Sequence, residues 1–107
     1  MPEINHCHIT GVVVQIEPQR RTPAGILRCR LRLEHRSRQL ENGHPVEVKA
    51  NIGIQLVGDH WGELIRQLQP GMQVEAEGFL TATGYRKDAQ ERLQLQATQL
   101  RLEVAPH

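Results

Sequence analysis

The sequence predicts an all-β fold of five strands, with a short helix or a few turns between the third and the fourth strand. Five stretches alternate apolar and polar residues with a period of two, which is typical of strands that bury one face. Residues 59–69 instead space their apolar residues like one face of a helix. Glycine, proline and asparagine mark the turns between these stretches.

Length and composition predict one folded domain over residues 1–107. The chain is 38% hydrophobic and 23% charged, which is typical of a folded protein rather than a disordered one. It has no long uncharged apolar run, so we expect no transmembrane helix, no signal peptide and a cytoplasmic location. Two cysteines are too few for a disulfide framework, and we expect both to be thiols.

The distribution of charge is more informative than the net charge of +1. Basic residues concentrate between positions 20 and 38, where Glu34 is the only acid. This asymmetry favours one basic surface. The three aromatic residues, Trp61, Phe79 and Tyr85, are too few for a protein that binds single strands mainly by stacking bases.

The first strand is predicted over residues 4–17, where β-branched residues are frequent. Gly11 inside it predicts a bulge or bend, which would let one strand serve both sides of a small barrel. Residues 19–25 form a loop that carries Arg20 and Arg21.

The second strand, residues 26–35, carries the strongest pattern in the chain. Apolar side chains at every odd position from 27 to 33 alternate with Arg28, Arg30 and Arg32, which predicts one dry face and one guanidinium face. Three arginines on one face repel one another unless anions neutralise them. Two kinds of anion could neutralise them: glutamates of neighbouring strands, or a bound polyanion such as a nucleic-acid backbone.

A polar connection is predicted over residues 36–44, with Asn42-Gly43 as a hairpin turn, followed by a third strand over residues 45–57. Asp59 can cap the helix that follows. We expect Trp61, on the apolar face of that helix, to anchor the core.

The last two strands are predicted over residues 72–83 and 91–104, separated by a polar loop. A phase shift at Thr98-Gln99 predicts a bulge. Five curled strands with a helix between the third and the fourth is the order of an OB-fold barrel.

An OB-fold binds single strands on the face of its second and third strands, helped by two loops. Basic and aromatic residues of this chain could converge there. The candidates for DNA binding are Arg20, Arg21, Arg28, Arg30, Arg32, Lys49, Tyr85, Arg86, Lys87 and Arg92.

No catalytic pattern occurs, because the chain lacks both a phosphate-binding glycine loop and a nucleophile elbow. In His6-Cys7-His8 the cysteine would point away from the two histidines, which is poor geometry for a metal. Glu75 and Glu77 share a face, and we expect them to be solvated or paired with arginines. We therefore expect no enzymatic activity, no metal and no cofactor.

The sequence resembles the PriB family, the bacterial primosomal replication protein N, over nearly its whole length. The residues that carry the resemblance are Leu33-Glu34-His35-Arg36-Ser37, supported by Asn5, Gly11, Val12, Pro23-Ala24-Gly25-Ile26, Cys29, Gly78-Phe79 and Gln99. The resemblance implies a non-catalytic homodimer of OB-folds that binds single-stranded DNA and assists the PriA helicase and other primosome proteins in replication restart. Carried over by position, the family's DNA contacts imply Arg20, Arg36, Lys49, Arg86 and Arg92.

The chain departs from the family pattern in its third strand, where residues 46–50 hold no aromatic. Each missing base–aromatic stack removes about 1–3 kcal/mol, so we expect weak, strongly salt-dependent binding. Two other functions stay open: a protein-interaction module that docks a helicase with little DNA affinity, and an RNA-binding OB module. We expect the dimer interface at the first strand, which is apolar on both faces, and the turn after it.

Overall fold

The computed structural model describes residues 2–82 and 93–103, and the predicted all-β fold is confirmed in them. In chain order its elements are β1 (Cys7–Ile16), β2 (Arg20–Arg21), β3 (Leu27–Glu41), β4 (His44–Val57), a 3-10 helix (Asp59–Trp61), α1 (Gly62–Gln67), β5 (Gln73–Ala82) and β6 (Leu93–Leu102). The five predicted strands are β1, β3, β4, β5 and β6. No sequence signal predicts the two-residue β2.

The five long strands close into a barrel. Their order is β1-β5-β6-β4-β3, and β1 pairs with β3 as well as with β5, so the sheet joins its own first strand. The pairing of β4 with β6 is parallel and the other pairings are antiparallel. Both this closure and the helix between β4 and β5 are those of an OB-fold.

Strand β1 serves two sides of the barrel, as predicted. Its first half, through Val12, pairs with β5, and its second half, from Val12 onward, pairs with β3. Of the predicted bulge or bend at Gly11, the bulge lies elsewhere, because the register skips at Val14, whereas β1 does change its pairing partner next to Gly11, at Val12. Gly11 is needed for a different reason: a Cβ there would lie 2.8 Å from the backbone oxygen of Glu34.

The core lies between the inner faces of the strands. Its fully buried side chains are Leu31, Leu33, Ile54, Leu56, Leu95, Val13 and Val74. Trp61 packs into the same cluster with Ile65 and Leu68, which confirms its predicted role as an anchor. Each fully buried side chain of this size contributes about 1.5–3 kcal/mol to folding.

The helix is shorter than predicted, and Asp59 does not cap it. Gly58 precedes the 3-10 turn at a φ of 119°, and no side chain caps either helix. The Asp59 carboxylate accepts a hydrogen bond from Arg21 instead. Among the described residues, no helix has the length and apolar character needed to cross a membrane.

The hairpin of β3 and β4 is longer than predicted. The prediction that residues 36–44 form a polar connection is wrong, because β3 continues to Glu41 and stays in register with β4 up to His44. The turn at Asn42-Gly43 is confirmed. Both residues have positive φ, 50° and 79°, as a two-residue type I′ turn requires.

The predicted bulge in the last strand is also confirmed. Glu77 pairs with Gln99 but Gly78 pairs with Ala97, so Thr98 is the extra residue of β6. At this point the backbones approach so closely that a Cβ on Gly78 would lie 1.9 Å from the Gln96 oxygen.

Candidate nucleic-acid interface

The guanidinium face predicted on β3 is present. Burial alternates along the strand, so the odd positions from Leu27 to Leu33 face the core while Arg28, Arg30 and Arg32 lie on the outer face. The alternation follows from the pleat of the strand. Three guanidinium groups therefore follow one another along the outer surface of the barrel.

Acidic partners neutralise part of this face. Arg30 Nε lies 3.7 Å from a carboxylate oxygen of Glu17, and both side chains are only partly exposed. Further along, Arg36 donates to Glu34 over 2.8 Å, and Lys49 Nζ lies 4.0 Å from the same oxygen. One glutamate thus serves two cations, so this end of the face keeps a positive excess.

The two arginines of β2 have different environments. Arg21 donates to Asp59 and to the Gly25 carbonyl, both over 2.8 Å, which ties the loop after β1 to the 3-10 turn. Arg20 pairs in register with Arg28 across the β2–β3 ladder. Within the described part of the chain, neither Arg20 nor Arg28 forms an ion pair. Of Arg20 and Arg21, Arg21 is therefore the one whose contacts stabilise the fold.

The outer part of the β3–β4 hairpin adds further cations. Arg36 lies opposite Lys49, and Arg38 lies opposite Glu47 with 3.7 Å between charged atoms. Arg38 is not among the site residues predicted from the sequence, because it lies beyond both the predicted second strand and the Leu33–Ser37 motif. The period-two pattern of arginines from position 28 would have found it, since it continues through Arg36 and Arg38.

His35 braces the fork where β1 and β3 separate. Its Nδ1 donates to the Thr10 carbonyl over 2.8 Å, since a carbonyl can only accept. Its Nε2 is hydrogen-bonded to the Ser37 hydroxyl at 2.7 Å, and Gln39 donates to the same oxygen. This chain of hydrogen bonds fixes the strand on both sides of Arg36.

Histidines and glutamates form a separate ladder on the outer face of β1 and β5. His6 donates to Glu77 over 2.7 Å and His8 donates to Glu75 over 2.5 Å. The bond from His6 lowers the pKa of Glu77. The glutamates are therefore paired mainly with histidines, and Arg101 lies 3.9 Å from Glu75 as the expected arginine.

Cys7 and Cys29 are both free thiols, as predicted. Cys29 is buried, and burial raises the pKa of its thiol, with Glu17 adding a smaller effect. The described residues contain no group of three or more side chains arranged to hold a metal ion.

The remaining predicted site residues are Tyr85, Arg86, Lys87 and Arg92. They lie outside the described residues, between β5 and β6.

Gln55 is a residue of this face that the sequence analysis missed. It pairs with Arg30 across β3 and β4 and lies on the outer face, yet it is only 8% exposed. The odd positions of β4 share a face with the even positions of β3, and this register could have indicated Gln55.

Comparisons with known proteins agree on one kind of protein. A model of a family of single-strand binding proteins matches residues 5–99. The replication restart protein PriB of Haemophilus influenzae strain PittEE is 31% identical over 78 residues, which are 73% of this chain and 72% of that protein. The PriB of Shewanella halifaxensis is 32% identical over 83 residues, 78% of this chain and 81% of that protein.

Solved structures share the fold at lower identity. The protein priB from Ralstonia solanacearum has a TM-score of 0.76 and 24% identity, covering 94% of this chain and 100% of that one. The SSB of Plasmodium falciparum, in a complex with ssDNA, has a TM-score of 0.78 and 12% identity, covering 97% and 98%. At these identities the likeness concerns the barrel alone.

Proposed function

Because the chain belongs to the replication restart protein PriB family, we propose that it is a non-catalytic single-stranded DNA-binding accessory protein of replication restart. The observation that carries the proposal is the outer face of β3, where arginines alternate strictly with core residues and the nearby acids neutralise only some of them. A row of cations along a strand suits the repeated charges of a nucleic-acid backbone. The cytoplasm is the compartment we propose for it.

The proposed DNA track begins at the loop after β1 and ends on the hairpin. Its described members are Arg20, Arg28, Arg30, Arg32, Arg36 and Lys49. Tyr85, Arg86, Lys87 and Arg92, which come between β5 and β6 in the sequence, remain proposed members. Arg21 contributes by holding the loop through Asp59 rather than as a free phosphate ligand.

We expect micromolar or weaker affinity for single strands at moderate salt, because the described part of this face holds no aromatic side chain. Fluorescence anisotropy of labelled oligo-dT at several salt concentrations tests this. The logarithm of the affinity should fall linearly with the logarithm of salt, by about 0.7 per phosphate contact. Nanomolar binding at moderate salt would contradict the expected weakness, and no binding even at low salt would overturn the function.

A matched pair of variants tests where the track lies. Arg36→Ala should weaken binding and reduce the salt slope by about 0.7. Arg101→Ala removes the same charge from β6, beside the histidine–glutamate ladder. It should change neither the DNA affinity nor the salt slope beyond a small general effect. Equal losses in both variants would indicate attraction by overall charge rather than by a track.

The proposed partners are the PriA helicase and other primosome proteins. A helicase-docking module with little DNA affinity of its own is the second candidate, because the cations beside Glu34 and Glu17 are partly neutralised. If Arg36→Ala and Arg86→Ala abolish DNA binding but leave helicase stimulation intact, the docking function is the better account. Matched DNA and RNA oligomers test the RNA-binding alternative, since only RNA has the 2′-hydroxyl.

We also propose a homodimer formed through β1. In the described residues, the first half of β1 pairs only with β5, which leaves its other edge open. Val12 and Val14 on this strand are 38% and 43% exposed, and Ile4 lies just before it at 88%. A second copy could cover this open edge and its apolar residues.

A further inference from the structure

A groove of about 400 Å³ lies between the loop after β1 and the outer face of β3 and β4. Pro18, Pro23 and Val57 contribute apolar wall, and four arginines line the same space: Arg20, Arg21, Arg28 and Arg30. A volume of this size is typical of sites for small molecules, which reach from about 300 to 1,000 Å³. The groove is therefore large enough to hold more than a single ion.

Two of its arginines face each other without an acid between them. Arg20 and Arg28 are register partners across β2 and β3. Arg21 has Asp59 and Arg30 has Glu17, whereas the described residues provide no carboxylate within ion-pair distance of the other two. Like charges directly opposite on paired strands destabilise the pairing. An anion bound between Arg20 and Arg28 would offset that repulsion.

A carboxamide in the same groove has no hydrogen-bond partner among the described residues. Gln55 lines the groove and is only 8% exposed, yet its side chain forms no hydrogen bond with the rest of the described chain. Its oxygen accepts hydrogen bonds and its nitrogen donates two. This unpaired carboxamide stays accessible from the groove, because it is not among the fully buried polar atoms without a partner. It is an observation independent of the arginines, and it indicates a ligand with both donors and acceptors.

We propose that this groove is a nucleotide subsite, in which Arg20 and Arg28 hold a phosphate and the Gln55 carboxamide hydrogen-bonds the edge of the adjoining base. The inference rests on the proposed function and deepens it. An unpaired base of any kind presents a donor beside an acceptor, and a carboxamide matches either order by rotating. The subsite would thus hold a base by hydrogen bonds where the described face lacks an aromatic, without selecting its sequence.

Mononucleotides test the subsite on the full chain. We would titrate dTMP, inorganic phosphate and thymidine separately and follow the backbone and side-chain amides by ¹H–¹⁵N NMR. The Gln55 side-chain resonances should move with dTMP but not with phosphate, and thymidine alone should bind least. The unchanged protein thus reports the base contact without any variant.

Three variants divide the site into its parts. Gln55→Leu should lower the affinity for dTMP about fivefold or more, the value of a good bidentate base contact, and leave phosphate binding unchanged. Arg20→Ala and Arg28→Ala should each lower the affinity for both ligands about tenfold or more, as expected for a bond to a charged group. Arg66→Ala is the control, because Arg66 pairs with Glu63 on α1 and lies outside the groove.

The outcomes separate the subsite from the proposed function. Equal affinity for dTMP and phosphate, with Gln55 unmoved, overturns the base contact, and binding unaffected by both arginine variants overturns the phosphate contact. If no mononucleotide binds but oligo-dT does, the subsite is wrong and the proposed function stands. If dTMP binds through these residues but oligo-dT does not bind even at low salt, the subsite stands and the proposed function fails.

Discussion

At the scale of single residues, the His6–Glu77 pair is a place on the surface where pH acts on stability. His6 donates to Glu77, and this bond lowers the pKa of the carboxyl group from its ordinary value of 4.5. A carboxyl group whose pKa is lower in the folded state stabilises the fold above its unfolded pKa. That contribution is lost as the pH falls through the folded pKa.

Glu77→Gln should therefore lower the melting temperature at neutral pH, and the difference from the natural chain should disappear as the pH falls below the lowered pKa of Glu77 in the folded state. Thermal unfolding followed by circular dichroism across that range is the measurement. Glu3→Gln is the control, because Glu3 is exposed and forms no ion pair with any described residue. A deficit that stays constant at every pH would show that the variant acts by some other route.

Substitution by alanine should have opposite effects on stability at Gly78 and at Gly62. A Cβ on Gly78 would meet the Gln96 backbone at 1.9 Å, whereas a Cβ on Gly62 would find only Leu27 Cδ2 at 3.8 Å. Gly78→Ala should cost about 1–3 kcal/mol or more, because backbone cannot give way as a flexible side chain can. Gly62→Ala, in α1, should be neutral or stabilise by up to about 1 kcal/mol. Urea denaturation of both variants checks this, and similar midpoints would contradict it.

At the scale of elements, the sequence pattern predicts the part of a strand that packs on the core and misses the part that extends beyond it. Inside the barrel, Leu31 and Leu33 alternate with arginines because one face is buried, so β3 is visible in the pattern. Beyond His35 neither face is buried deeply, and the inner row continues with Ser37 and Gln39. Polar residues on both faces look like a loop, although backbone pairing with β4 keeps the strand extended.

The turn at Asn42-Gly43 should affect the local stability of this hairpin but not the stability of the barrel. Gly43 has a φ of 79°, where a side chain costs about 1–2 kcal/mol. Gly43→Ala should therefore speed amide hydrogen exchange in residues 36–50 while Leu33 and Ile54 keep their protection. Loss of protection throughout the barrel would mean that hairpin and core unfold as one unit.

At the scale of the whole molecule, the groove shows why a site is harder to predict than a strand. Arg20, Arg28 and Gln55 come from three different strands, and Gln55 is distant in sequence from the other two. The pattern places the last two on strands, but it does not show that the loop after β1 pairs with β3 for two residues. That pairing puts Arg20 opposite Arg28, beside the hydrogen bond by which Arg21 ties the loop to Asp59.

The open edge of β1 makes a prediction about the assembled protein. If a second copy covers this edge and the exposed apolar residues of β1, Val14→Asp places a charge among those covered residues and should shift the protein from dimer to monomer. Leu40→Asp is the matched control, because Leu40 is 76% exposed at the far end of the hairpin and far along the chain from β1. Sedimentation equilibrium over a range of concentrations measures both.

The natural chain and Leu40→Asp should sediment at twice the mass of Val14→Asp. Since Val14 is already 43% exposed in the single chain, its substitution should leave the barrel folded, as circular dichroism would report. If the natural chain stays monomeric at high concentration, the proposal of a homodimer is wrong. A dimer that survives Val14→Asp but not Leu40→Asp would move the interface to the hairpin, the same surface that the proposed DNA track occupies. In that case assembly and DNA binding would compete, and oligo-dT affinity would fall as protein concentration rises.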